Sequence, residues 1–152
     1  MLTTLIAVLG TLLGSVVTYW FQGRAAVQAA ELARAEQLRQ ERIAAYSAFG
    51  GMLFDFRRSQ NDRWFRARES PGSAEAEASR FASYEARIAA RQALVRVQLV
   101  CADPRLRGLA ERAFEWTNCL HEATDAADRE RRAQRSKDAL AAFVEAAAPT
   151  VQ

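Results

Sequence analysis

Apolar residues are distributed along this chain in two ways. Over the first 23 positions, MLTTLIAVLGTLLGSVVTYWFQG, they form one run with no Asp, Glu, Lys or Arg. From Ile43 onward they recur every three or four residues among many charges. The first pattern predicts a helix surrounded by lipid. The second predicts amphipathic helices that share a core. Leu2 to Phe21 supplies about 20 residues, which is about 30 Å of helix and the thickness of a bilayer interior. A secretory signal would need a basic start, a shorter apolar core and a small-residue cleavage site. Here nothing basic precedes the run, and it ends on Tyr19, Trp20 and Phe21, which suit a membrane interface. A buried core helix would show a polar stripe, whereas only Thr, Ser and Gly interrupt this one.

Residues 1–23 are therefore predicted to be a transmembrane anchor. No Lys or Arg precedes it, and Arg24, Arg34 and Arg39 follow. The positive-inside rule places the N-terminus outside and the rest of the chain in the cytoplasm, as a single-pass cell (plasma) membrane protein. Gly10, Gly14 and Thr18 lie four apart, with Thr11 and Ser15 on the adjacent row. In lipid, small residues at this spacing let two backbones approach closely. They are candidate contacts for a homo-oligomer.

Residues 24–42, RAAVQAAELARAEQLRQER, have no Gly or Pro and consist largely of good helix formers. They predict a helical stalk that continues the anchor. Val27, Leu32 and Leu38 are too few for a strong heptad, although a weak coiled coil in an oligomer fits. Residues 43–149 predict a cytoplasmic antiparallel bundle. Tyr46, Phe49, Leu53 and Phe56 form the first stripe, with Gly50-Gly51 as a kink or a close crossing. Ser70-Pro71-Gly72 is a turn and Ser73 an N-cap. Phe81, Tyr84, Ile88, Val95 and Leu99 form the next stripe, broadened by Leu94 and Val97. Asp103-Pro104 restarts a helix that carries Leu106, Leu109, Ala113, Trp116 or Thr117, and Leu120. A last helix from about Asp128 turns Ala133, Leu140, Phe143, Val144 and Ala147 inward and stops at Pro149. The fold class is all-α.

Composition adds little to this. The net charge is +3, and 26% of residues are charged. That excess fits an anionic inner leaflet but is too small to imply nucleic-acid binding on its own. Two patches concentrate it. Arg57, Arg58, Arg63, Arg66 and Arg68 surround Trp64 and Phe65. Arg129, Arg131, Arg132 and Arg135 open the last helix. Either could meet lipid headgroups, a cytoplasmic protein or nucleic acid; the first also reads as a solvated helix end whose aromatics tuck back onto the bundle, and the second as an exposed helix face. Cys101 and Cys119 are expected to be reduced, since a helix turn near Pro104 would set them about 22 Å apart. His121, the single histidine, has no nucleophile near it, and with Cys119 it cannot fill a zinc site of about four ligands. No phosphate-cradling glycine loop is present. A non-enzymatic protein with no metal and no cofactor is expected.

The opening LIAVLGTLLGSVVTYWFQ, the segment LRQERIAAYSAF and the later FRRSQ resemble KilB-type proteins, small membrane proteins of actinobacterial conjugative plasmids. The resemblance is strongest over about the first 60 residues. It implies a role in kill-override systems and in plasmid transfer and spread between hyphal compartments. It also implies toxicity when unregulated and action at the membrane by self-assembly. The competing expectation is a membrane-tethered adaptor that holds a cytoplasmic protein or nucleic acid through its Arg-rich faces.

Overall fold

A computed structural model describes the backbone of residues 2–152 and the side chains of Trp20, Gln22, Arg24 and residues 26–152. Every element among them is helical: α1 (Leu2–Glu69), α2 (Ala74–Val100), α3 (Pro104–Asn118) and α4 (Ala126–Ala147). Single 3-10 turns follow α3 at Cys119–Glu122 and α4 at Ala148–Thr150. Within the predicted span 1–23 only the Trp20 and Gln22 side chains are described, and Gly10, Gly14, Ser15 and Thr18 fall outside the described side chains. Among the described residues no helix is long and apolar enough to cross a membrane.

The chain divides into two units, Met1–Leu38 and Arg39–Gln152. In the first, Arg24 lies over the Trp20 ring at 3.7 Å, and Val27, Leu32 and Leu38 are exposed. The second is the bundle, and it starts four residues before Ile43. Arg39 Nε donates to the Val151 carbonyl at 2.7 Å and Arg42 Nε to the Val100 carbonyl at 3.3 Å, which ties the entering helix to the segment after α4 and to the end of α2.

The helix boundaries follow from local chemistry. Gly72 sits at φ +76°, a left-handed conformation that glycine adopts without a Cβ clash. Ser73 Oγ accepts from the Ala76 N–H and caps α2. Asp103 caps α3 through the Arg105 N–H, with Pro104 at the first helical position, and Asp125 caps α4 through the Asp128 N–H. The cap at Asp125 starts α4 at Ala126, slightly earlier than the sequence pattern suggests.

The core combines Tyr46, Phe49, Leu53 and Phe56 of α1 with Leu94 and Val97 of α2, Leu106 and Phe114 of α3, and Leu140 and Phe143 of α4. Phe143 meets Tyr46 and Phe49 edge to face, with centroids 5.7 and 5.3 Å apart. A Cβ added at Gly50 or Gly51 meets nothing within 4 Å, so no helix crosses closely over them, and α1 continues through the pair to Glu69. Cys101 and Cys119 are both unbridged.

One buried polar pair sits in this core. Thr117 gives its only proton to the Ala113 carbonyl at 2.9 Å, so Ser136 Oγ, 2.7 Å away, donates to Thr117. Thr117→Val is expected to strand that donor and cost about 1–3 kcal/mol. Adding Ser136→Ala should restore part of the loss. Urea unfolding of both variants checks this.

Two inward assignments are corrected. Val144 is exposed and only its neighbour Phe143 is buried. More consequentially, the whole stripe Phe81, Tyr84, Ile88, Val95 and Leu99 faces outward. The face of α2 that packs on the bundle carries Ser83, Ala86, Ala90 and Ala93, together with Leu94 and Val97. Small side chains let α2 lie close against its neighbours, because interaxial distance follows side-chain size at the contact. The larger residues, roughly 140° round the helix, are left over.

Candidate functional site

The outer face of α2 is the feature that helix packing alone leaves unexplained. Ile88 is 59% exposed and Leu99 80%. Phe81, Ile88 and Val95 recur at intervals of seven, the a positions of a heptad, and Tyr84 takes a d position. Arg80 and Arg87 then occupy g, and Glu85 and Gln92 occupy e. Arg91, at the next d position, places its guanidinium 5.4 Å from the Phe114 ring. Tyr84 and Ile88 also line a groove of about 560 Å³ whose far wall includes Phe114 of α3. A face of this kind on a monomer marks a contact surface.

The predicted Arg-rich patches take other roles. Trp64 is 5% exposed, and its Nε1 donates to the Ala123 carbonyl at 2.8 Å. The Arg68 guanidinium lies 4.0 Å from the Trp64 centroid, and its Nη2 donates to the Ala123 and Thr124 carbonyls. Arg129 lies 5.5 Å from Trp64 and 4.9 Å from Phe65, and bonds Asn61 at 2.9 Å. The two patches thus meet at Trp64 and latch the end of α1 to the start of α4. With so little of its ring exposed, Trp64 has no free face on which a base could stack. The sequence places Arg68 beside Trp64, but its spacing does not show that it reaches the Ala123 and Thr124 carbonyls.

The remaining predicted basic residues are dispersed. Arg132 pairs with Asp128 at 3.0 Å and bonds the Cys119 carbonyl at 3.0 Å, and Arg131 pairs with Asp128 at 3.2 Å. The Thr124 N–H, and after it the Arg132 guanidinium, hold the Asp128 carboxyl below its ordinary range. Arg135 lies over Trp116 at 4.9 Å, Arg57 over Phe54 at 4.7 Å, and Arg66 pairs with Glu69 at 3.7 Å. Arg58 is exposed. Arg63 turns toward α2, 5.3 Å from the Tyr84 ring.

His121 Nδ1 donates to the Asn118 carbonyl at 2.9 Å. Burial, and next the charge of Arg63, hold its imidazole below the usual range, so it is neutral at pH 7. Among the described residues no group of three His, Cys, Asp or Glu could hold a metal ion.

No curated protein and no solved structure matches this chain. A family model does match, over residues 43–151, which is the bundle and not the apolar leading stretch. That span covers well over half of the 152 residues. The chain belongs to the KilB plasmid transfer protein family.

Proposed function

We propose that this chain is a non-enzymatic, single-span membrane protein that self-associates in conjugative plasmid transfer. The family match supports the role in plasmid transfer. Residues 1–23 anchor it, with the N-terminus outside and the bundle in the cytoplasm. The observation that carries self-association is the outward heptad of α2. Its occupant is a second copy of the same helix. Parallel pairing in register sets Phe81, Ile88 and Val95 against themselves, and β-branched a positions favour two strands. The same register brings Arg80 of one copy to Glu85 of the other, and Arg87 to Gln92.

The face is small. A helix of 27 residues offers a strip about 40 Å long and about 10 Å wide, so a pair buries on the order of 800 Å². That is below a standard stable interface and corresponds to weak association when the protein is dilute. Confinement to one bilayer supplies the missing effective concentration. Gly10 and Gly14 would add contact within the bilayer. Cross-linking of the full-length protein in native membranes tests this part. Gly10→Ile with Gly14→Ile is expected to lower cross-linked oligomers several-fold; unchanged cross-linking would remove the glycine row from the account.

The latch around Trp64 weighs against the adaptor alternative, since Arg129, Arg131 and Arg132 are held by partners within the chain.

A further inference from the structure

A polar cleft of about 350 Å³ lies where α1, α2 and the turn after α3 meet. It is lined by Gln60 and Arg63 of α1, Ser83 and Arg87 of α2, and Asn118 and His121. Gln60 is 2% exposed. Its Nε2 donates to the Asn118 carbonyl at 3.0 Å, and its Oε1 has no partner. An unpaired buried acceptor costs about 1–3 kcal/mol, and a Leu in its place would avoid that cost. This position therefore calls for a donor from outside the chain.

The charges around it point the same way. Among the described residues Arg63 and Arg87 form no ion pair, as is true of most arginines of the bundle, but these two face one cleft. Arg63 makes only a long bond, 3.4 Å, to Ser83 Oγ, and that hydroxyl donates to the Arg80 carbonyl. The acid lining the cleft, Glu122, pairs with Arg132 at 3.6 Å. Two uncompensated guanidiniums thus share a small cavity with an acceptor that lacks a donor. His121, bonded through Nδ1 to Asn118, keeps Nε2 for a ligand.

We propose that this cleft binds a small phosphate monoester that carries a hydroxyl group, either free or as a lipid headgroup. The phosphate oxygens accept from Arg63 and Arg87, whose planar forks suit that geometry. The hydroxyl donates to Gln60 Oε1. The volume is at the small end of ligand cavities and limits the guest to about the size of a sugar phosphate.

His121 is the single histidine, so its ring signal in NMR is unambiguous. The test is its pH titration in the full-length protein, held in phosphatidylcholine nanodiscs. Glycerol 1-phosphate at about 10 mM, ten times a millimolar Kd, is compared with chloride at equal ionic strength. A bound anion offsets Arg63 and Arg87, so the midpoint should rise by about half a pH unit or more. Arg87→Gln, an exposed change that the fold should tolerate, is expected to abolish the rise. Gln60→Leu should weaken glycerol 1-phosphate about tenfold while leaving the response to inorganic phosphate. A second arm replaces the soluble ester with lysophosphatidic acid, which keeps one glycerol hydroxyl free, in the nanodisc; a rise there alone identifies the headgroup as the source. No rise over chloride in either arm, or a rise that persists in Arg87→Gln, would overturn the proposal.

Discussion

Replacing Ile88 with glutamate is expected to abolish association of the bundles while leaving the fold unchanged. Ile88 is more than half exposed and points away from the core. The bundle should therefore keep its stability within about 0.5 kcal/mol, the ordinary range for a surface change. In a pair of chains the same residue would meet its own copy, so each dimer loses two buried side chains and gains two facing carboxylates. At about 1 kcal/mol of remaining apolar burial per copy, the loss is at least about 30-fold in dimer affinity. Had α2 packed by its larger residues, Ile88→Glu would bury an unpaired charge and unfold the protein. One variant, read by thermal unfolding and by cross-linking in membranes, separates these outcomes.

The second large effect is expected in the core, at Phe143. It is 1% exposed and holds Tyr46 and Phe49 in edge contacts. Phe143→Ala removes the ring and leaves a cavity, at a cost of about 3–5 kcal/mol. For a bundle of this size that lowers Tm by about 12 °C or more. Val144→Ala, one residue along, should change stability by less than about 0.5 kcal/mol, because Val144 is exposed. Circular dichroism melts of the two variants side by side check both values.

These adjacent residues show what the hydrophobic pattern conveys and where it stops. Tyr46, Phe49, Leu53 and Phe56 were legible because α1 carries one strong apolar stripe and charges elsewhere. The turn at Gly72 and the caps at Ser73 and Asp103 were legible in outline because each satisfies a specific backbone need, whereas the cap at Asp125 was not foreseen. Helix α2 was misread because it has two nonpolar faces. Ranking residues by size selects Phe81, Ile88 and Leu99, but a close helix contact selects Ser83 and Ala90. Residue size alone does not tell which of the two nonpolar faces packs on the bundle. The arginines around Trp64 fitted either a basic patch or a solvated helix end whose aromatics tuck back onto the bundle. Trp64 is buried as in the second, but nothing in the spacing announces that Arg129 of α4 returns to cover the indole. The cleft at Gln60 had no linear signal, since its residues come from three separate segments.

The central claim is that the outer face of α2 meets its counterpart in a second chain. The direct measurement is bis-maleimide cross-linking of the full-length protein in native membranes, with Cys101→Ala and Cys119→Ala as background. Cysteine placed at Ile88 should give a covalent dimer in high yield, and cysteine at the exposed Lys137 of α4 should give little. A dimer absent at both positions, or equally abundant at both, would contradict the account.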